Sequence, residues 1–103
     1  MAEDQNTTEQ GAENEMDILV MADQFINIAN ALVQDNKQDA GRVGAAMRYA
    51  VARFNAHEVS IKAADLEASK DDAIEWFSNQ YKEMFTDNIN QYIEMAKQQA
   101  ENK

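Results

Sequence analysis

One histidine, two arginines and one tryptophan are the residues of this chain whose types could carry chemistry or recognition. His57 is the only histidine among 103 residues, and an imidazole can act as a general base or as a pH sensor. It falls on an apolar stripe of a predicted helix, and no motif supplies a nucleophile or an orienting partner. We therefore expect a partly buried histidine, hydrogen-bonded to a carbonyl or to a tyrosine of the third helix.

Metal, cofactor and nucleotide sites all lack their necessary residues. The di-metal sites of helical bundles need a Glu-x-x-His pair from each of two helices, but this chain has one histidine and no glutamate three residues before it. His57 and Glu58 are not followed by the second histidine of a zinc peptidase motif. There is no cysteine to supply a thiolate, and the three glycines form no phosphate-binding loop. The sequence predicts no metal, no cofactor and no enzymatic activity.

Arg42 and Arg53 lie on one side of the second predicted helix, three turns apart and about 20° from each other around its axis. They could clamp an anionic ligand or an acidic partner helix. We favour a structural interpretation, in which their stems lie along apolar surface and their guanidinium groups pair with acids of the first and third helices.

Trp76 lies off the apolar face of the third predicted helix, about 140° from its centre. Tryptophan is enriched among the residues that anchor interfaces, so an exposed Trp76 would mark a docking surface. The alternative is that it packs beneath the connection over residues 65–68. The sequence leaves both interpretations open.

Three amphipathic helices position these residues, over about 15–34, 40–63 and 70–98. The chain has no proline, and its apolar residues recur at helical spacing. Asn36 is expected to take the left-handed conformation that ends the first helix, and Asp39 to cap the second. Ser69 begins a capping box that should open the third helix. Residues 65–68 either continue the second helix or form a short fourth segment.

The second helix carries two apolar stripes, which are typical of the central helix of a bundle or of one covered by a second chain. The first stripe runs through Val43, Met47, Ala50, Phe54, His57, Ile61 and Ala64, and the second through Ala45, Tyr49, Ala52, Ala56 and Ala63. Small residues on the second stripe permit close helix approach. The predicted fold is all-α, an antiparallel bundle of three helices over residues 15–103.

The charge and the amino terminus exclude several classes of partner. The net charge is −10, which disfavours nucleic-acid binding because phosphate backbones repel acidic chains. Residues 1–14 are acidic and polar, and we expect a disordered tail. This start is unlike a signal peptide, and no apolar run approaches the length of a membrane span. We expect a cytoplasmic protein that does not contact a membrane.

Three strings in residues 25–93 carry a resemblance to a known family. They are Phe25-Ile-Asn-Ile-Ala-Asn30, Gly41-Arg-Val-Gly-Ala-Ala-Met-Arg-Tyr-Ala-Val-Ala-Arg-Phe-Asn-Ala56 and Trp76-Phe-Ser-Asn-Gln-Tyr-Lys-Glu-Met-Phe85. The chain resembles a family of short bacterial all-helical proteins of unknown function, most specifically over residues 49–56. The resemblance implies a soluble bacterial helical domain and no assigned activity. It also implies a packing role for His57, where the family is expected to have an aromatic residue.

Two functional hypotheses follow from these surfaces. The first is a protein-interaction or scaffold protein that self-associates as a homodimer, because three helices cover only part of the apolar surface of the second. The alternative is a module that binds a small anion in a pocket between the second and third helices. The residues that would line this pocket are Tyr49, Arg53, Tyr81 and Tyr92. An acidic mimic of nucleic acid is a third and less favoured hypothesis.

Overall fold

The computed structural model describes residues 15–102, of which 86% are helical, with no strand in that range. The helices are α1 (Ile18–Gln34), α2 (Ala40–Lys62) and α3 (Leu66–Glu101). The predicted all-α class with three helices is confirmed. The predicted tail lies outside the described residues, and the antiparallel arrangement remains a prediction.

The chain divides into two compact units, residues 1–53 and residues 54–103. The described part of the first unit holds α1 and the first fourteen residues of α2. The second unit holds the remaining nine residues of α2 and all of α3 up to Asn102. The single domain predicted over residues 15–103 therefore remains a prediction.

An aspartate caps the start of each of the three helices. The Asp17 carboxylate accepts a hydrogen bond from the Leu19 N–H at 2.7 Å, so α1 begins at Ile18 rather than at about residue 15. The Asp39 carboxylate accepts from the Arg42 N–H at 3.2 Å, which confirms Asp39 as the cap of α2. Each carboxylate satisfies an N–H that has no partner inside the helix, and each also favours the positive end of the helix dipole.

The start of α3 corrects the prediction that Ser69 opens this helix. The Asp65 carboxylate accepts from the Ala68 N–H at 3.1 Å, and Asp65 has the extended backbone of a cap residue. The Ser69 hydroxyl instead donates to the Asp65 carbonyl at 2.9 Å, one turn inside the helix. Starting at Leu66 lets four more residues join the backbone ladder. Residues 65–68 therefore belong to the start of α3, and no fourth segment is present between α2 and α3.

The end of α1 corrects the prediction for Asn36. The residue with positive φ is Lys37, at 60°, while the Asn36 N–H donates to the Ala31 carbonyl at 3.2 Å. The turn at Lys37 brings the Gln38 N–H within 3.0 Å of the Leu32 carbonyl. A left-handed conformation costs a residue with a Cβ about 1 kcal/mol or more, and glycine almost nothing.

We expect Lys37→Gly to raise the free energy of unfolding by about 0.5–1 kcal/mol, because glycine removes the strain of the left-handed conformation. Urea denaturation followed by circular dichroism measures the change. Lys37→Ala is the control, since alanine removes the long side chain and the charge but keeps the Cβ. A midpoint for Lys37→Gly no higher than that of Lys37→Ala would contradict the role assigned to this turn.

Each unit encloses little apolar side chain. In the first unit Ala29 and Val43 are 9% and 6% exposed, flanked by half-buried Val33 on α1 and Met47 on α2. In the second unit no described residue is buried, and every described residue from Ser78 onward is exposed. The predicted core stripes exist as apolar faces of the helices, but much of their surface remains open within each unit.

Candidate functional site

The second unit contains an open groove between the end of α2 and the first turns of α3, with a volume of about 300 Å³. Its lining residues are Glu58, Val59, Lys62, Ala63, Ser69, Trp76 and Phe77. Val59 lies in the last turn of α2, and Ala63, the first residue after this helix, donates its N–H to the Val59 carbonyl at 2.9 Å. The small side chains of Ala63 and Ser69 leave space beside the Trp76 ring. The groove thus has an apolar floor between two helices.

Trp76 is a wall of this groove and is 57% exposed. Its indole meets the Phe77 ring edge to face, with the ring centroids 4.9 Å apart. One of the two interpretations required the connection over residues 65–68 to cover Trp76. The exposure of the indole contradicts that interpretation. Aromatic pairs in this geometry are favourable beyond the area that they bury, so Phe77 holds the indole at the mouth of the groove.

The rim of the groove carries one acid and one base, Glu58 and Lys62. The Glu58 carboxylate accepts a hydrogen bond from the Asn55 side-chain amide at 2.6 Å, which fixes it beside the groove. Charges of both signs around an apolar floor suit an apolar side chain with polar neighbours better than they suit a small anion.

The four residues predicted to form an anion pocket are not brought together within either unit. Tyr49 and Arg53 are exposed on the first unit, and Tyr81 and Tyr92 are exposed on the second. Tyr81 and Tyr92 share a face of α3, but they lie about 16 Å apart along its axis. Tyr81 stacks on Phe85, with centroids 6.0 Å apart and planes at 13°. The groove described above contains none of these four residues.

His57 is exposed, which corrects the expectation that it is partly buried. Its ring is tilted by 52° from that of Phe54, with the centroids 6.3 Å apart. Its backbone carbonyl accepts a hydrogen bond from the Ser60 hydroxyl at 2.7 Å. The reason is the side of α2 that is covered in this unit. Val59 and Ala63 are half-buried, and His57 lies about 160° around the helix from Val59.

The side of α2 that is covered therefore differs between the two halves of the helix. Val43 and Met47 of the first stripe are covered in the first unit. In the second unit the half-buried residues of α2 are Asn55, Glu58 and Val59, followed by Ala63 just after the helix, whereas Ala56 of the small-residue stripe is exposed. The rest of the first stripe, Phe54, His57 and Ile61, stays exposed.

Arg42 and Arg53 are both exposed on the first unit, where their pairing with acids remains a prediction. The residues that sequence reasoning did not connect are the groove pair Val59 and Lys62. The signal that could have found them is the combination of small residues near Ala63 with an off-face Trp76. Both features indicate one concave place between α2 and α3.

Two further properties of residues 15–102 concern metal binding and membrane crossing. No group of three or more histidine, aspartate or glutamate side chains there is placed to hold a metal ion. None of the helices described is both long and apolar enough to cross a membrane.

Comparison with known proteins gives a family but no activity. No curated protein and no solved structure matches the chain. One family, described as a protein of unknown function (DUF3144), matches residues 18–93. The match begins at the first residue of α1 and runs through α2 into the second half of α3, so it covers both units. The chain belongs to this family of unknown function, DUF3144.

Proposed function

We propose that this is a small cytoplasmic bacterial protein that acts as a protein-interaction or scaffold protein by associating with itself, and that it is not an enzyme. The observation that carries the proposal is the open apolar face on each unit. Contiguous apolar surface of more than a few hundred Å² is uncommon on monomers and marks interaction sites.

The open face of α2 is the first support. Phe54 and Ile61 are more than 60% exposed and stand two turns apart with His57 between them. In the first unit Phe25 and Ile28 of α1 are exposed to a similar degree. Burying such side chains contributes about 1.5–3 kcal/mol each, so leaving them in water is a large unused driving force for association.

A second copy of the chain is the simplest partner for such faces. A two-fold interface presents the same patch from both copies, and an apolar patch is complementary to itself. The net charge of −10 opposes this association at long range. Charges on solvated surfaces are screened over about 8 Å at physiological salt. Apolar burial acts at contact, so we expect it to outweigh the charge repulsion in the free energy of association.

The non-enzymatic part of the proposal is supported by the isolation of the reactive side chains. His57 lies against Phe54 on an exposed stripe, and the groove beside Trp76 is lined by one acid, one base, the Ser69 hydroxyl and apolar groups. The Ser69 hydroxyl donates to the Asp65 carbonyl at 2.9 Å, so its proton is not shared with Glu58. General acid–base or nucleophilic catalysis needs two or more such groups within hydrogen-bond reach of one another.

The groove between α2 and α3 supports an alternative function, a module that binds a small ligand. Its position agrees with the predicted pocket between the second and third helices, although its lining residues differ. The Lys62 ammonium at its rim would attract a small anion, but the Glu58 carboxylate would repel one, so the rim carries no net positive charge. We therefore place this alternative second.

Analytical ultracentrifugation tests the proposed self-association. We expect the full chain to sediment as a dimer at tens of micromolar and to dissociate on dilution. Apolar burial between like-charged copies also predicts tighter association at higher salt, because salt screens the repulsion. A monomer at tens of micromolar, at both low and high salt, would contradict the proposal.

A further inference from the structure

The last turns of α3 extend beyond what α2 can cover. α3 has 36 residues and α2 has 23, so α3 is longer by about 20 Å. Three residues, 63–65, join the end of α2 to the start of α3. Even if the two helices ran side by side for the whole of α2, the contact would end near Asn88. Residues 89–101 would then have no contact with α2.

From Tyr81 onward α3 carries a largely apolar face, which we call the C-terminal face. It comprises Tyr81, Met84, Phe85, Ile89, Tyr92, Ile93 and Met95, all of them exposed. At 100° per residue these side chains span about 180° of the helix. Glu83, Asp87 and Glu94 lie on the opposite side. A helix with this distribution of side chains is amphipathic, and amphipathic helices typically bury their apolar side against a neighbour.

Lys82 and Asn88 are polar side chains that lie within the angular range of this face. Lys82 can keep its ammonium group in water at the end of its long stem. Asn88 is uncharged. Its amide donates to the Met84 carbonyl at 2.8 Å, one turn back on the same helix. A polar group whose donor already has a partner costs less to bury than a free one. Asn88 is therefore no obstacle to covering the face.

The area of the C-terminal face matches what a dimer needs. Aromatic side chains present about 200 Å² each, and the aliphatic ones slightly less. At the exposures of these seven residues, the face offers about 700 Å² per copy. A standard stable interface buries about 800 Å² per partner, so pairing this face with itself comes close to a complete interface.

The charge along α3 selects the orientation of such a pair. Residues 66–88 carry six acids and two lysines, a net charge of −4, whereas residues 89–101 carry two acids and one lysine, a net charge of −1. Parallel pairing would place the two −4 segments side by side. Antiparallel pairing places them at opposite ends, and it also opposes the two helix dipoles.

We infer that the C-terminal face of α3 is the self-association surface and that it packs antiparallel against the same face of a second copy. The inference rests on the proposed self-association and names its surface. Tyr92 is central to it, because this side chain is 67% exposed and lies within about 20° of the middle of the face.

The test replaces one central side chain in the full chain and measures the dissociation constant by ultracentrifugation. We expect Tyr92→Glu to weaken self-association by at least about 100-fold, because each copy loses an anchor and buries a charge. The matched control is Gln98→Glu, which adds the same charge to the same helix outside the C-terminal face. The control should associate within about threefold of the original chain.

The outcomes separate this inference from the proposed function. If the original chain dimerises and Tyr92→Glu dimerises equally well, self-association stands and the C-terminal face is overturned as its surface. If the original chain is a monomer, the proposed function fails first. If the original chain is a monomer at every concentration and Tyr92→Glu lowers its unfolding midpoint, another segment of the same chain covers the face, and the inference is overturned.

Spin-label distances test the orientation, because the chain has no cysteine of its own. Glu83→Cys, Glu94→Cys and Glu101→Cys place labels along one side of α3, away from the C-terminal face. The C-terminal face is centred near position 88, so in an antiparallel pair the distances between copies are similar at positions 83 and 94 and longer by about 15 Å at position 101. Equal distances at the three positions would overturn the antiparallel pairing.

Discussion

The variant Val43→Asp is expected to lose at least about 2 kcal/mol of unfolding free energy, the largest loss that we expect from a single substitution in the first unit. Val43 is 6% exposed and is one of two buried residues in the described part of this unit. A carboxylate there would lose its water without gaining a partner. The position is near the start of α2, where the helix dipole favours an acid, but that gain is about 0.3–1 kcal/mol. The cost of desolvating the carboxylate therefore exceeds the gain from the helix dipole.

Val51→Asp is the matched control for this variant. It makes the same change on the same helix at a residue that is 52% exposed, where we expect a loss below about 1 kcal/mol, mainly from the lower helix propensity of aspartate. Urea denaturation followed by circular dichroism measures both variants. Equal losses of unfolding free energy at the two positions would mean that Val43 is no more buried than Val51. That result would contradict the arrangement of the first unit.

The helices could be predicted from the sequence because helical spacing of apolar residues is a property of each segment alone. Their ends were harder wherever two residues competed for the same role. Asp65 and Ser69 both offer a capping oxygen, and Asp65 is used because the earlier start adds backbone hydrogen bonds. Asn36 and Lys37 could both end α1. The hydrogen bond from the Asn36 N–H to the Ala31 carbonyl leaves the left-handed turn to Lys37.

The candidate site was less predictable, because a pattern of apolar residues shows which faces can be buried but not which neighbour covers them. The spacing of α2 placed His57 on the longer of two stripes. Coverage passes from Val43 in the first unit to the side of Val59 and Ala63 in the second, so His57 is left exposed. Trp76 was recognised as off-face, but its groove is formed by residues of α2 that no local pattern connects to it.

The two stripes of α2 and the length of α3 give a common reason to expect the proposed self-association. A central helix with two apolar faces needs two neighbours along its whole length, and each unit covers only part of one face. α3 adds a segment that extends beyond the reach of α2. A chain of this size that leaves such faces open has little enclosed core, and small domains with little core gain stability from oligomerisation.

Folding and association should therefore be coupled, and this coupling gives the second large effect that we expect. A hundredfold rise in protein concentration should raise the apparent unfolding free energy of the dimer by about 2.7 kcal/mol. For two chains of this length the melting temperature should rise by about 3 °C for each tenfold step. Thermal unfolding followed by circular dichroism from low to high micromolar concentration measures the shift.

The Glu variants of α3 show which surface carries this coupling. Gln98→Glu should keep the concentration dependence, since it lies outside the C-terminal face, whereas Tyr92→Glu should melt at a lower temperature that does not change with concentration. The physical reason is mass action: only a native state that contains two chains is favoured by adding more chains. A melting temperature of the original chain that is the same at all concentrations would show that each chain folds by itself. The open faces of α2 and α3 would then be covered within the monomer.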